Sequence, residues 1–509
     1  MPEKTLIDTE IIFQDTSHNN NHPILKILHF NDVYNVESGS IEPKAGAPRF
    51  LTALEHLKND QTVDATIVLF SGDAFSPSEI SAITKGAQMV TCLNKFGIHA
   101  ACIGNHDFDF GVERLTVLIK ETNFPWLISN VVDTITKKPL ANAKTKHIIE
   151  INNLRIGLVG LVEHEWIETL SALKNDDIIY ECFVTAGNRL ANELRKIDKC
   201  DIVIAMTHMR LPNDIKLAHE VDQIDMILGG HDHNYVCKLI NNKWIIKSGN
   251  DFKNLTSLEF SKLDLSVKKI NKYVVDSKVP EHQELKTIVD DYIKLMTNNE
   301  IYSDVLAKIE VDLDSRFMIV RTQESNIANL ICDILLNSIS SADCCIANSG
   351  TFRADCINPA GSNLTYGDLK KLIPGNNELV VIRCTGQVIH DALENGVSTY
   401  PKLEGRFPQV AGLRFAFDPS REPYDRIDPK SIFIRNIQLD LEKEYNVVVK
   451  KFIKDGKDGY HCLTKCPVVI DFYQFPLFFT IIENFFRKHI EKNENFSIAP
   501  QIENRIVVL

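Results

Sequence analysis

Short runs of apolar residues alternate with longer amphipathic segments over the first half of the chain. Up to about residue 275 the short runs are rich in Ile, Val and Leu, and the amphipathic segments include residues 50–57 and 112–120. Short apolar runs indicate strands, and their alternation with helical segments indicates an α/β core. In such a core, ligands bind at the carboxyl ends of the strands.

The pattern changes twice further along the chain. After Pro280 apolar residues recur at helical spacing, which predicts a linker helix, and from Arg321 a second unit begins with a helix over about residues 325–338. Turn-forming Gly, Pro and Asn residues then separate short strands. We therefore predict four segments: a flexible N-terminus at 1–23, a first domain at 24–280, a linker helix region at 281–320 and a second domain at 321–509.

The composition is that of an ordinary globular protein. Of the 509 residues, 44% are apolar and 24% are charged, and the formal net charge is −12 at pH 7. This charge disfavours broad binding to nucleic acid or to an anionic membrane, since both require clustered Lys and Arg. An anionic substrate remains compatible with it, because bound cations can invert a local field. We expect a monomer or a homodimer.

The N-terminus and the cysteines favour a cytoplasmic location. The polar residues 1–23 contain no basic region followed by an apolar one, so no secretory signal is visible. The apolar stretch 468–486 is interrupted by polar residues and a proline, which favours a strand and a buried helix over a membrane span. The 12 cysteines are scattered without a paired CxxC motif, which predicts reduced thiols in the core.

Metal-binding residue types follow five of the predicted strands. Because the carboxyl ends of parallel strands share one edge, these side chains are expected at one rim, where two divalent cations could lie a few ångströms apart. Taken singly, the last motif could be a surface loop and His208 a core residue, but five motifs in order favour a metal centre. In chain order the motifs are Asn31-Asp32-Val33-Tyr34, Gly72-Asp73, Gly104-Asn105-His106-Asp107, Thr207-His208 and Gly229-Gly230-His231-Asp232-His233.

The chemistry of a two-metal phosphatase suggests a role for each of these side chains. Such a site needs one carboxylate that bridges the cations, and nitrogen and oxygen donors for each of them. Asp73, which follows a strand and a glycine, suits the bridge. The remaining donors would be Asn105, His208 and His231 for one ion, and Asp32 and His233 for the other.

A catalytic pair is predicted on the turn after Asn105. His106 and Asp109 are three residues apart, so Asp109 could orient the imidazole of His106. His106 would then donate a proton to the departing alkoxide while metal-bound water attacks the phosphorus in line.

The ordered motifs resemble those of the calcineurin-like metallophosphatases. The second half narrows this resemblance to the 5′-nucleotidase / UDP-sugar hydrolase family, because Arg321–Asp333 and Asn348–Arg353 are similar to that family's C-terminal domain. The resemblance covers nearly the whole chain from about Leu25. It implies an N-terminal four-layer α/β/β/α metallophosphatase domain, a linker helix, and a C-terminal α/β substrate-binding domain that rotates to carry substrate to the metals.

The same resemblance implies an activity and its cofactors. It predicts a metal-dependent phosphohydrolase that releases phosphate from nucleoside 5′-monophosphates by in-line attack of metal-bound water, with two divalent ions of Zn, Mn, Mg or Co. One alternative within the family is hydrolysis of nucleotide sugars, cyclic nucleotides or nucleoside polyphosphates. An alternative of another class is a catalytically weak protein that binds nucleotides.

Two phenylalanines of the second half are candidates for base binding. Phe407 and Phe452 could face each other across a cleft and enclose a flat base, although Phe is more often a core residue. By resemblance both match the family's base-stacking aromatics.

Four polar residues complete the predicted substrate pocket. By resemblance Asp458 matches a ribose-binding carboxylate, and Arg353 would pair with the phosphate or sugar end of the substrate. The family commonly has Phe-Gly-Asn where this chain has residues 374–377, so Asn377 is the nearest equivalent of that asparagine. Arg383 is a second candidate arginine for this pocket.

Tyr34 departs from the family pattern, which has a histidine at this position. Tyr34 could bind a metal as a phenolate, which would favour a harder and more oxidised metal than zinc. It could instead only fill space, leaving Asp32, Asp73, His233 and water around that ion. A third possibility is a first site too weak for catalysis.

Overall fold

The structure is a computed structural model that describes residues 6–15, 23–164, 177–261, 264–295, 299–375, 377–493 and 496–509. The chain divides into two compact units, Met1–Thr297 and Asn298–Leu509. The boundary between the units therefore lies inside the segment 281–320. Both units are α/β, as predicted from the alternating pattern for the first and from the family resemblance for the second.

The first unit contains two large sheets and a two-stranded ribbon. Its described strands are β1 (Asp8–Gln14), β2 (Pro23–Phe30), β3 (Thr66–Phe70), β4 (Ala100–Cys102), β5 (Trp126–Leu127), β6 (Val131–Asp133), β7 (Lys146–Ile151), β8 (Leu154–Val162), β9 (Ile178–Tyr180), β10 (Ile202–His208), β11 (Met226–Gly230), β12 (Tyr235–Ile240), β13 (Lys243–Ser248), β14 (Asn254–Ser261) and β15 (Val267–Val274). One sheet has the strand order β1-β15-β14-β2-β3-β4-β5, the other has the order β12-β13-β11-β10-β8-β7, and β6 pairs with β9.

The helices of the first unit cover the outer faces of these sheets. The described helices are α1 (Ala47–Lys58), α2 (Glu79–Thr84), α3 (Ala87–Phe96), α4 (Val112–Glu121), α5 (Phe183–Lys196), α6 (Leu211–Glu220) and α7 (Gln283–Leu295). The predicted amphipathic segments 50–57 and 112–120 lie within α1 and α4. α7 lies where the spacing after Pro280 predicts a helix, and it buries Leu285 and Val289 in the core of the first unit.

Strand β10 shows how the layers arise. Alternate side chains of a strand point to opposite faces of its sheet. Ile204 and Met206 accordingly join the core between the two sheets, whereas Val203 and Ala205 pack in a separate core with residues of α5 and α6. Residues of α1, α3 and α7 pack with those of β2 and β3 of the first sheet. The predicted α/β/β/α order of layers is therefore confirmed.

The prediction of a flexible N-terminus is wrong for residues 8–14. This segment forms β1 and pairs antiparallel with β15, from Asp8 opposite Val274 to Gln14 opposite Lys269. Its side chains are mostly exposed, so the apolar pattern that identifies buried strands is weak here. Residues 1–5 and 16–22 lie outside the described part of the chain.

The central sheet of the second unit has five strands in the order β22-β18-β26-β21-β27. Smaller sheets have the orders β25-β24-β23-β29, β20-β16-β28 and β17-β19. The described strands are β16 (Val305–Ile309), β17 (Leu313–Asp314), β18 (Cys344–Asn348), β19 (Ile357–Asn358), β20 (Asn363–Thr365), β21 (Leu379–Thr385), β22 (Pro408–Ala411), β23 (Leu413–Phe417), β24 (Phe433–Ile434), β25 (Ile437–Gln438), β26 (Glu444–Lys450), β27 (Val468–Ile470), β28 (Ser497–Ile498) and β29 (Ile506–Val508). The described helices are α8 (Asn299–Tyr302), α9 (Phe317–Val320), α10 (Asn326–Asn337), α11 (Tyr366–Leu372), α12 (Gly386–Val397), α13 (Lys451–Lys454) and α14 (Phe478–Lys492).

Both faces of the central sheet of the second unit are buried. Val448 of β26 packs in one core with α10 and α14, while Val447 and Val449 pack in another core with α12. Helix α10 begins at its cap Ser325, whose hydroxyl accepts a hydrogen bond from the backbone N–H of Ala328. The apolar stretch 468–486 forms β27 and the first part of α14, as expected. Among the described helices, none is long and apolar enough to cross a membrane.

Candidate functional site: a buried metal centre and a separate cavity

The five predicted motifs lie at strand ends, and two sheets contribute them. Asp32, Asp73 and Asn105 follow the parallel strands β2, β3 and β4 of one sheet, while His208 ends β10 and His231 follows β11 of the other. The loops after β2 and β3 are joined by a hydrogen bond from the Asp32 backbone N–H to the Gly72 carbonyl, at 2.9 Å. The motifs therefore meet at one rim, as predicted, but it is a rim between two sheets.

Three of these residues have an unusual backbone conformation. Asp32, Asp73 and His231 have φ values of 54°, 63° and 76°. Residues other than glycine rarely adopt this left-handed region, and such strain clusters at functional sites. Gly72, at φ 83°, precedes Asp73, and a Cβ there would approach the backbone N of Gly104 to 2.7 Å. The sharp turns thus aim the Asp and His side chains into the rim.

One group of donors surrounds the carboxylate of Asp73. His208 Nε2 lies 3.2 Å from Asp73 Oδ2, and the Nδ1 of His208 is 2.7 Å from the Ser71 carbonyl, which fixes the ring. His231 Nδ1 lies 3.0 Å from Asn105 Oδ1. The side chains of Asp73, His208 and His231 are buried, and their donor atoms lie within 4.8 Å of one another. These are the predicted donors of one ion.

A second group of donors surrounds the phenol of Tyr34. Its Oη lies 3.0 Å from Asp32 Oδ1, 3.1 Å from Asp73 Oδ2 and 2.9 Å from His233 Nε2. His233 Nε2 is also 3.6 Å from Asp32 Oδ1. Asp73 Oδ2 therefore faces both groups, which is the position that a bridging carboxylate needs.

The electrostatics of the rim attract positive charge. Burial disfavours the ionised form of Asp32, but hydrogen bonding to His233 and the nearby His208 lower its pKa below the usual range. Burial opposes protonation of His208, yet the neighbouring Asp73 raises its pKa to about 9. The pKa of Tyr34 is raised by burial and by the charge of Asp32. The raised pKa values of His208 and Tyr34 reflect the negative charge concentrated in this buried site.

This set of donors fits two divalent cations. The side chains of Asp32 and Asp73 are 0% and 1% exposed, and two carboxylates buried so close together require compensation by positive charge. Carboxylate and amide oxygens mixed with imidazole nitrogens are ligands of Zn, Mn, Mg and Co ions. Asp73 can bridge, with Asn105, His208 and His231 on one side of it and Asp32 and His233 on the other.

The predicted catalytic pair is also assembled. His106 Nδ1 lies 3.0 Å from Asp109 Oδ2, and both side chains are buried. The backbone N–H of His106 donates to Asp73 Oδ1 at 2.8 Å, which ties the pair to the metal rim. Burial raises the pKa of Asp109, and the neighbouring His106 opposes that rise. Asp109 is thus placed to orient His106 through Nδ1.

Three charged residues that support the rim had no predicted role. Asp107 accepts hydrogen bonds from the backbone N–H groups of Ala74 and Gly104, each at 2.8 Å, and burial raises its pKa to about 6. Glu163, also buried, lies 3.7 Å from His231 Nε2. Lys247 lies on β13 behind the loops that carry His208 and His231. Asp107 belongs to a motif found in the sequence, whereas Glu163 and Lys247 belong to none.

The second unit contains a cavity of about 600 Å³. Four of the predicted substrate residues line it: Arg353, Asn377, Phe452 and Asp458. The other lining residues are Arg321, Asn348, Gly350, Thr351, Pro374, Gly405 and Lys450. Asp458 accepts a hydrogen bond from Asn348 Nδ2 at 2.8 Å, so its carboxylate is held at the wall of the cavity.

Two predicted substrate residues lie elsewhere. Phe407 is only 2% exposed and packs in the core, with its ring centroid 6.2 Å from that of Phe417, so the predicted sandwich of Phe407 and Phe452 is not formed. Arg383 points outward from β21 and does not line the cavity. Phe452, by contrast, is 43% exposed and available for stacking. A phenylalanine beside an apolar strand gives no sign in sequence of which face it takes.

The cavity is richer in cations than the sequence patterns indicate. Arg321, Arg353 and Lys450 line it together with one carboxylate, Asp458. Burial and Arg353 lower the pKa of Lys450, which Asp458 partly restores, to about 8. Burial and Arg353 also lower the pKa of Arg321. The ammonium of Lys450 lies 5.6 Å from the centre of the Phe452 ring. An anionic and aromatic ligand fits this lining.

Comparison with known proteins agrees with this arrangement. Residues 25–235 match the family profile of the calcineurin-like phosphoesterases, and residues 305–465 match that of the 5′-nucleotidase C-terminal domain. The 5′-nucleotidase of Bos taurus is 25% identical over 491 residues, covering 86% of this chain and 84% of that protein.

Two solved structures share the fold. The NAD nucleotidase of Haemophilus influenzae is similar with a TM-score of 0.77 and 17% identity, covering 95% of this chain and 99% of that one. The 5′-nucleotidase precursor from Thermus thermophilus has a TM-score of 0.52 and 23% identity, with the same shares covered.

Proposed function

Because the chain belongs to the 5′-nucleotidase family of calcineurin-like phosphoesterases, we propose that it releases phosphate from nucleoside 5′-monophosphates. As a family member it is a hydrolase of phosphoester bonds. The observation that carries the choice of substrate is the cavity of the second unit, which places an exposed aromatic ring, Phe452, beside the carboxylate of Asp458 and the cations of Arg353 and Lys450.

The cavity offers a contact for each part of a nucleotide. The exposed ring of Phe452 stacks on the base, a contact that tolerates different bases. Asp458 accepts hydrogen bonds from the ribose hydroxyls, and Arg353 binds the negatively charged end. Asn377 Nδ2 already donates to the Pro374 carbonyl at 3.1 Å and to the Gly375 carbonyl at 3.5 Å, so its side-chain oxygen is the atom that it offers to a ligand.

The rim of the first unit supplies the hydrolytic chemistry. Asp73 would bridge two divalent ions of the Zn, Mn, Mg or Co type, held further by Asp32 and His233 and by Asn105, His208 and His231. When bound, such ions neutralise phosphate charge and lower the pKa of water. His106, oriented by Asp109, holds a proton at Nε2 and gives it to the leaving ribose oxygen.

A second substrate class is compatible with the charge of the cavity. Three cationic side chains, Arg321, Arg353 and Lys450, face one carboxylate, which leaves a net positive lining for the phosphate groups of a nucleotide. Compounds with a pyrophosphate, such as nucleotide sugars or dinucleotides, carry a negative charge similar to that of AMP and would also fit this lining. The structural similarity to a protein described as an NAD nucleotidase supports including this class in the assay.

Phosphate release separates these proposals. The metal-free protein is loaded in turn with Mn²⁺, Zn²⁺, Mg²⁺ or Co²⁺, and phosphate release is measured from AMP and, after a coupled phosphatase step, from UDP-glucose and NAD. We expect turnover of AMP. If nucleotides bind but no metal supports turnover of any substrate, the protein is a nucleotide-binding protein and the proposed activity is wrong.

The variant Phe452→Ala tests the role of the cavity in the same assay. Loss of a stacked ring should weaken AMP binding by about 1–3 kcal/mol and leave hydrolysis of a small aryl phosphate nearly unchanged. Phe407→Leu is the matched control, because Phe407 is buried in the core and its change should lower stability without a selective effect on AMP. Equal losses on both substrates in Phe452→Ala would remove this ring from the base site.

The thiols support a reducing compartment. All twelve cysteines are free, and most of them are buried. Free core thiols are typical of cytoplasmic proteins, so we propose that location, with a monomer or a homodimer as the working form.

A further inference from the structure

The phenol of Tyr34 is directed at metal donors. Its Oη has three neighbours, Asp32 Oδ1 at 3.0 Å, Asp73 Oδ2 at 3.1 Å and His233 Nε2 at 2.9 Å. The residue is 5% exposed, and its ring packs against the rings of His233 and His106, with centroids 5.4 and 5.9 Å away. The one polar atom of this side chain is thus placed among three predicted metal donors.

The three distances have the length that ligands of one ion keep from each other. Metal–oxygen distances of about 2.1 Å, with ligands at right angles, separate adjacent ligand atoms by about 3.0 Å. The distances from Oη to the two carboxylate oxygens and to the imidazole nitrogen all lie close to this separation between adjacent ligand atoms. The predicted donors of the other ion give similar values, 3.2 Å between His208 Nε2 and Asp73 Oδ2.

Hydrogen bonding alone accounts poorly for this arrangement. A phenol has one O–H to donate, whereas two carboxylate oxygens, which only accept, both lie within 3.1 Å of it. One proton cannot serve both at full strength. A cation in contact with Oη and with both carboxylates satisfies all of them at once.

We propose that Tyr34 binds one of the two ions, which we call the first ion, through its phenol oxygen. This inference rests on the proposed two-ion function and names the ligand set of one ion: Asp32, Tyr34 and bridging Asp73 through oxygen, and His233 through nitrogen. The other ion has two imidazoles, from His208 and His231. Since oxygen donors favour harder cations and imidazoles suit zinc, the first site selects a Mn²⁺- or Fe³⁺-type ion over Zn²⁺.

Metal binding without substrate tests the proposal. The wild type, Tyr34→Phe and Tyr34→His are stripped of metal and titrated with Mn²⁺ and Zn²⁺, and the bound ions per chain and their affinities are measured. Tyr34→Phe keeps the ring but removes the proposed ligand atom. Loss of an outer-shell partner already lowers metal affinity by about 10–100-fold, so we expect at least that loss at the first site, with the second ion retained. Tyr34→His should restore two ions and shift the first site towards Zn²⁺.

A crystal of the Mn²⁺-loaded wild type gives an independent result. The anomalous signal locates each ion, and we expect Oη within about 2.3 Å of the first one. Tyr273→Phe is the matched control, because it removes a buried phenol oxygen near Ser257 in the same unit and should leave both ions unchanged.

The outcomes distinguish this inference from the proposed function. Two ions in Tyr34→Phe with wild-type affinity and preference would show that Tyr34 only fills space, even if AMP is hydrolysed. A wild type that binds no metal under any condition would overturn the two-ion function itself. Thermal unfolding of each variant shows whether a loss of metal comes from misfolding.

Discussion

Replacement of Lys247 by methionine should destabilise the first unit and loosen its metal rim. Lys247 is fully buried, and its Nζ lies 2.8 Å from both Asp214 Oδ2 and Asp232 Oδ2. It also donates to the carbonyl of Met209 at 2.5 Å and to that of Gly230 at 2.7 Å. The carbonyl of Met209 directly follows His208 and that of Gly230 directly precedes His231, and both histidines are proposed metal ligands. The ammonium of Lys247 therefore holds in place both of the loops that carry these histidines.

The expected loss of stability comes from the buried polar groups that lose Lys247 as a partner. Removal of one partner of a buried ion pair costs about 3–5 kcal/mol, because the other charge stays buried without compensation. Asp214 is 0% exposed and is such a group, whereas Asp232, at 17%, can be partly hydrated. Two carbonyls that lose a donor raise the cost further. We expect Lys247→Met to lose about 3–5 kcal/mol of a stability of roughly 5–15 kcal/mol.

The pH dependence of the stability loss shows whether the buried charge of Asp214 causes it. Without Lys247, the pKa of Asp214 in the folded state rises further above its unfolded value, since burial alone already raises it. The folded state then binds more protons than the unfolded state, so stability falls as pH rises from the unfolded pKa through the folded one. The deficit of Lys247→Met should therefore be smaller at pH 5 than at pH 7.5.

Urea unfolding monitored by tryptophan fluorescence measures these changes in the right unit. All three tryptophans of the chain lie within Met1–Thr297. The metal-stripped protein is used, so that metal binding does not add to stability. Asp214→Asn in the Lys247→Met background removes the uncompensated charge, keeps an acceptor for Thr207 and should recover roughly 1–3 kcal/mol.

The control is Lys243→Met on the same strand. Lys243 is 6% exposed and donates to the Ala218 carbonyl at 3.0 Å, so we expect a loss of about 1 kcal/mol. A loss below about 1 kcal/mol in Lys247→Met, or no recovery in the double variant, would refute the reasoning.

Three other changes test the two sites. Asp73→Ala should abolish hydrolysis and two-ion binding together, and two bound ions in this variant would exclude Asp73 as the bridge. His106→Asn should lower kcat by about 10²–10⁴-fold with normal metal content, and an unchanged kcat would exclude it as the acid. Lys450, whose pKa is about 8 between Asp458 and Arg353, is charged below that pH, so the KM for AMP should rise from pH 7 to 9. Lys450→Met should flatten this rise, and a profile that stays parallel to wild type would assign it to another group.

The residues of the proposed metal rim could be predicted from sequence because a local pattern marks each of them. Each ligand directly follows a short apolar run, and parallel strands bring such positions together whatever the details of the fold. The role of Tyr34 does not follow in this way, since a tyrosine in that position fits a ligand, a spacer or a defect equally well. Three distances from one phenol oxygen favour the ligand.

The supporting residues and the cavity could not be predicted in the same way. Glu163 directly follows the apolar strand β8, as the proposed ligands follow their strands, but it belongs to none of the five motifs. Lys247 lies inside β13, where the sequence gives no sign that a charge is buried. Strand β1 is not predicted, because its side chains are mostly exposed. The resemblance places Phe407 in the base site, but the direction of its side chain depends on packing against Phe417, which no local pattern encodes.

The distribution of charge resolves an apparent conflict between the acidic chain and an anionic substrate. A net charge of −12 repels phosphate at long range, but screening limits that effect to about 8–10 Å in physiological salt. At shorter range the cavity presents Arg321, Arg353 and Lys450 against Asp458, so the binding surface itself is positive. The rim of the first unit is the opposite case, because its buried carboxylates repel phosphate until cations bind. Under the proposed function, recognition of the nucleotide would therefore need only residues of the second unit, whereas attraction of the phosphoryl group to the first unit would depend on metal.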